Sequence, residues 1–253
     1  MSLANPTASL SHLATQFAPS GTLRAAINLG NPILARRDDI GLVVGVSVDM
    51  AQAFAQRLGL PVELVVVDTA AKSVALVTDG AADIGFFAID PVRGAGIAFT
   101  AAYVQIEGAY LVRADSPLTD NAQVDAVGTR IAVGQGSAYD LCLSREIKRA
   151  TLARAPSSPA VVDYFLQNQL DVAAGVKQQL EFDAKRLSNL RLLPGRFMVI
   201  AQAMGQPKTR SAACQNALHA FVEDMKSSGF VAQALARQKI EGAVVAPALA
   251  LKA

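Results

Sequence analysis

Residues 83–103 read DIGFFAIDPVRGAGIAFTAAY, and the fold is decided here. Asp83–Ala88 is a short apolar run that predicts a strand. Asp90-Pro91 predicts a tight turn, which places Arg93 just beyond a strand end. Upstream, Leu23–Leu29 lies between Gly21 and Gly30-Asn31-Pro32 and predicts a buried strand. Ser47–Leu58 carries apolar residues at helical spacing and stops at Gly59. Val62–Val67 is a β-branched strand, and Lys72–Thr78 a short helix closed by Asp79-Gly80. Strand and helix alternate as in a parallel α/β sheet.

Beyond Tyr110-Leu111-Val112 the same grammar restarts. Arg130–Val133, Leu152–Ala155 and Val172–Val176 predict strands; Ala138–Ala150 and Pro159–Asn168 predict the helices between them. This is a second α/β unit with its own sheet. Phe197–Ala203 predicts a further strand, followed by helices at Thr209–Lys226 and Phe230–Lys239. Residues 1–20 read as a loosely ordered leader, and Arg36-Arg37-Asp38-Asp39 as a solvated loop.

Composition narrows the function. Of 253 residues, 52% are hydrophobic and 17% charged, and Trp is absent; this is a globular chain. A net charge of +2 argues against nucleic acid or an acidic membrane as partner. Cys142 and Cys214 are far apart with no CxxC pair, so free buried thiols are expected over a bridge. With two histidines and no His/Cys cluster, neither a metal site nor a His-dependent nucleophile is expected, and no cofactor is implied. No stretch has transmembrane length, so no membrane insertion is expected. The opening MSLANPTASLSHLATQFAPSG lacks a basic start and a continuous apolar run. The expected compartment is periplasmic if a signal was removed, and otherwise cytoplasmic.

Five segments then fall in register: Gly21–Ala25, Gly45–Gly59, Asp83–Tyr103, Arg130–Ser137 and Phe221–Ala236. Over about residues 21–240 the chain resembles the bacterial extracellular solute-binding proteins of family 3, the amino-acid-binding components of ABC importers. The resemblance implies a type 2 periplasmic-binding-protein fold: two α/β sheets joined by two hinge strands, with the ligand between the lobes. Lobe 1 would comprise residues 21–110 and 202–253, and lobe 2 residues 111–201. It also implies a monomer that delivers an amino acid or related carboxylate to an ABC permease.

The resemblance assigns the ligand's carboxylate to Arg93, whose guanidinium offers a planar fork of donors. Without that context the plainer reading is a surface arginine paired with a nearby acid. Gly134-Gln135-Gly136-Ser137 leads into a helix beginning at Ala138, where free N–H groups favour an anion. Ser137 with Asp140 can equally form a capping box there, and the two roles are compatible. Phe87, Ala88 and Asp90 match the segment lining the cleft from lobe 1, although relatives often carry hydroxyl residues there. Asn28 and Asn31 follow the first strand; alone they read as turn residues, by resemblance as ligand contacts.

One departure stands out. Where amino-acid binders carry an aspartate that neutralises the α-ammonium, this chain has Val176, followed by Lys177. A buried ammonium without a carboxylate is costly. Either Asp90 or Glu107, the latter at the first hinge, supplies the charge, or the ligand is not an α-amino acid. The expected function is capture of a small carboxylate-bearing solute. The alternatives are a cyclohexadienyl-dehydratase-like enzyme using Glu107 or Asp90, and a ligand-sensing module.

Overall fold

The computed structural model describes residues 10–248. Two parallel triplets of strands flank an antiparallel centre. The first triplet is β4 (Val62–Val67), β1 (Leu23–Asn28) and β5 (Ile84–Ala88); the second is β9 (Val172–Val176), β7 (Arg130–Gly134) and β8 (Thr151–Ala155). Between them run β6 (Ile97–Arg113) and β11 (Met198–Pro207), antiparallel to each other. β11 pairs with β5 and β6 with β9, so the ladder runs β4-β1-β5-β11-β6-β9-β7-β8. The two expected sheets are thus hydrogen-bonded into one ladder, because the connecting strands belong to both. β10 (Leu190–Leu192) and β12 (Val244–Val245) add to β6.

Helices cover the triplets. Every residue of β5 is buried, the mark of a strand covered on both faces. α2 (Val46–Leu58) ends at Gly59, whose φ of 70° gives the left-handed cap that glycine adopts without strain. α3 (Ala70–Thr78) begins at Thr69, whose hydroxyl accepts the Lys72 N–H. α7 (Ala212–Ser227) and α8 (Phe230–Arg237) complete the first half. In its core Phe54 lies 4.9 Å from both Phe17 and Phe221, ring centre to ring centre. Each such fully buried ring contributes roughly 1.5–3 kcal/mol. In the second half α4 (Ala138–Glu146), α5 (Val161–Gln167) and α6 (Lys177–Arg186) pack on β7–β9, with Phe165 at the centre of a separate cluster.

Several expectations are corrected. The first nine residues of the leader lie outside the described residues, as do the last five of the chain. The rest of the leader is not loose: α1 (Ala14–Phe17) inserts Phe17, fully buried, into the core. Arg36-Arg37 is no simple loop. It forms β2, paired with β3 (Val43–Val44), and Asp38 ties the turn by accepting the N–H groups of Ile40 and Leu42. α4 stops at Glu146, short of Ala150, because Asp125 takes the N–H groups of Lys148, Arg149 and Ala150. α6 had no counterpart in the sequence reading. Cys142 and Cys214 are both free and buried.

Candidate functional site

β5 ends at Ala88, and Asp90 builds the turn beyond it by accepting the Val92 N–H at 2.8 Å. That turn brings Arg93 back over the strand end. Its guanidinium donates to the Ala88 carbonyl at 3.1 Å and to the Gly136 carbonyl at 2.9 Å. One side chain therefore touches both halves of the molecule. Arg93 is only 6% exposed. Burial pushes its pKa below the ordinary value, and Asp90 opposes that shift. A guanidinium stays charged regardless, so the effect is energetic: a cation short of water favours an anion beside it.

The facing wall starts at Gly134, the end of β7. A side chain there would come within 2.8 Å of the Tyr139 hydroxyl and 2.9 Å of Ser158 Cα, so the close approach requires glycine. Ser137 caps α4 by accepting the Asp140 N–H at 3.0 Å. Asp140 in turn accepts the Gly136 N–H at 2.9 Å, and Arg154 holds Asp140. The capping reading therefore describes Ser137, and the expectation of free amides in the loop is corrected. The N–H groups of Gln135, Gly136 and Ser137 are all spent on protein acceptors. The open donors are the N–H groups of Ala138 and Tyr139, at the positive end of the helix dipole.

Between these walls lies a cavity of about 50 Å³, several times the ~10–15 Å³ that one water needs on the same measure. Of the residues expected at the site, Asn28, Asn31, Phe87, Ala88 and Arg93 line it from the first half. Ser137, Ala138 and Val176 line it from the second. Gly136 meets Arg93 through its carbonyl without lining the cavity.

Asp90, Glu107 and Lys177 do not line it. Asp90 is 4% exposed and bonded to Arg145, on the opposite half, at 2.8 Å. Glu107 sits in a separate groove with Lys177 at 3.0 Å and Arg196 at 2.6 Å. Arg196, then Lys177, hold its carboxyl below the usual range. Both carboxylates expected to serve a ligand are thus already engaged by protein cations.

The sequence reading missed Ser47, Tyr139, Ser158, Ile200 and Gln202, all of which line the cavity. Burial raises the pKa of the Tyr139 hydroxyl, and Ser158 and Ser137 oppose that shift. Gln202 is 5% exposed, and its side chain makes no hydrogen bond to any described residue. Asn31 Oδ1 is likewise buried without a partner among them. Gln202 had left a trace: it is the one polar residue inside the apolar run Phe197–Ala203. Among the described residues, no Asp, Glu, Lys, His or Cys side chain lines the cavity. Cys142 lies outside it, and burial raises its thiol pKa to about 11, which keeps it protonated and unreactive. Among the described residues there is no cluster of His, Cys, Asp or Glu suited to a metal ion. No helix among them is long and apolar enough to cross a membrane.

Solved structures share this architecture. The solute receptor for L-cysteine of Neisseria gonorrhoeae superposes with a TM-score of 0.77 at 21% identity, covering 92% of this chain and 94% of that one. A mutant of ArgBP from T. maritima gives 0.76 at 19%, covering 90% and 99%. The ancestral amino acid-binding protein AncCDT-1, a precursor of cyclohexadienyl dehydratase, gives 0.74 at 17%, covering 89% and 98%. At such identities the likeness is one of fold, the type 2 periplasmic-binding-protein fold. No match was found among curated proteins. The family model for bacterial extracellular solute-binding proteins, family 3, matches residues 23–238. That span takes in both strand triplets, both connecting strands and every cavity-lining residue, and the chain belongs to this family.

Proposed function

We propose that this protein captures a small carboxylate-bearing solute between its two lobes, with residues 21–110 and the described part of 202–253 forming one and 111–201 the other. The observation that carries the reading is Arg93, a buried guanidinium facing a cavity whose opposite wall is a helix start. Ala88 and Gly136 occupy two of its five N–H donors and hold its plane in place. Its remaining donors and the Ala138 N–H are the groups that a carboxylate would engage. Binding would close the lobes about β6 and β11, and delivery to an ABC permease in the periplasm is the role that fits the family.

Capture is favoured over catalysis on the same scaffold. Elimination of water needs a group that exchanges a proton near neutral pH, and none lines the cavity. Isothermal titration of small carboxylates tests the reading: Arg93→Ala should lower affinity at least ~100-fold, about 3 kcal/mol, with the circular dichroism spectrum unchanged. Equal affinity in a folded Arg93→Ala protein overturns it. Turnover of prephenate or arogenate, abolished in Glu107→Gln, would establish the enzyme instead.

A further inference from the structure

The charges around the cavity do not balance. Arg93 lines it and is ion-paired with no carboxylate among the described residues, while Asp90, the acid of the same turn, is paired with Arg145 on the opposite half. The Asp90–Arg145 pair is neutral, so the Arg93 charge on the cavity wall has no paired acid among the described residues. A ligand with a single negative charge cancels it; a zwitterion does not. An ammonium group brought in with the carboxylate would find neutral surroundings, since Val176, Asn28, Asn31, Ser47 and Gln202 are all uncharged.

One more carboxylate requires attention. Asp183, on α6, faces a small adjoining pocket that shares Asn31, Tyr139, Ser158 and Val176 with the main cavity. It is 3% exposed, bonded to Arg186 at 3.1 Å and to Gln179 at 3.1 Å. Arg186 also reaches Asp163 at 3.3 Å, but Asp163 is 52% exposed and screened by water, so the guanidinium answers the buried Asp183. What the cavity does offer is neutral hydrogen bonding that lacks a protein counterpart. Asn31 Oδ1 is buried without a donor, and the Gln202 amide, also buried, has no side-chain bond to a described residue. An orphaned acceptor calls for a donor on the ligand, and charge balance calls for that donor to be neutral.

We propose that the cavity selects a small hydroxy acid: a monocarboxylate bearing a hydroxyl in place of an ammonium. Arg93 and the start of α4 hold the carboxylate, and Asn31 and Gln202 the hydroxyl. This rests on the capture of a carboxylate proposed above and specifies its class.

The test is calorimetry on a panel of aliphatic and polar amino acids, each beside the hydroxy acid of the same skeleton (alanine with lactate, valine with 2-hydroxyisovalerate). Native mass spectrometry of the purified protein runs alongside, to identify any retained acid. The preferred skeleton should bind at least tenfold more tightly as the hydroxy acid. Val176→Asp should shift the preference at least tenfold toward the amino acid, because it places a carboxylate on the cavity wall. The same substitution gives α6 a capping side chain, which it lacks, so the variant should fold. Amino-acid binding that is equal or tighter and is lost in Arg93→Ala overturns the hydroxy-acid proposal and leaves carboxylate capture standing. A folded Val176→Asp protein with an unchanged preference overturns it too. If neither class binds and no acid is retained, both proposals fall.

Discussion

The cavity has Arg93 as the one charged residue on its described lining, the groove beside the connecting strands gathers several, and the two handle charge in opposite ways. In the groove Glu107 sits between Lys177 and Arg196, and the side chains are 28%, 36% and 54% exposed. Water and neighbours answer every charge there. In the cavity Arg93 is 6% exposed, and Asp90, the carboxylate of the same turn, is paired with Arg145 instead. A wet, paired cluster contributes little and tolerates change. A dry cation has few ways to be satisfied, and a ligand is one of them. Function is therefore read from the site whose charge the protein has not finished balancing, not from the site with more ionisable groups.

This contrast can be broken by substitution. The largest effect is expected in the cavity, where Arg93→Ala should remove binding while leaving the fold intact. Gly134→Ala is next. Its methyl would run into the Tyr139 hydroxyl and the Ser158 backbone, so chemical denaturation should register a loss of ~1–3 kcal/mol, with weaker binding. Ser137→Ala removes the α4 cap and should cost ~1 kcal/mol in the same measurement. Glu107→Gln should cost under ~1 kcal/mol and leave affinity unchanged; a large affinity loss would erase the distinction between the two regions. The pH dependence sharpens it. Because Glu107's folded pKa is lowered, its pairing stabilises the fold above the unfolded value of about 4.3. That contribution disappears as pH falls through the folded value. The stability of Glu107→Gln should therefore fall slightly less between neutral and acid pH than that of the parent.

Local elements were legible in the sequence where one periodicity held throughout. β4 and β9 match their expected limits, and α2 stops at the glycine that predicted its end. β6 was not legible, because its seventeen residues cross from one half to the other. Its neighbours change along its length, and so does the face that is buried. At the site, the turn before Arg93 was legible, but its place on the cavity wall was expected only through the family resemblance. The roles of Asp90 and Glu107 were not. Their partners lie far along the chain, Arg145 fifty-five residues from Asp90 and Lys177 seventy residues from Glu107. No local pattern encodes such pairings. Ser47 was read correctly as part of a helix start, but only the fold turns it toward the cavity and Tyr103.

The route of the chain through β6 and β11 also sets an order for folding during synthesis. The chain leaves the first half along β6, builds the second without interruption, and returns along β11. β7, β8, β9 and their helices are contiguous and can assemble as soon as they emerge. The first half must wait. Until residues 202–205 are made, β5 lacks its partner on one side, and the sequence IGFFA presents an unpaired apolar edge of the kind that recruits other strands. The segment leading to Arg93 is therefore an aggregation hazard of the nascent chain that is relieved when β11 arrives.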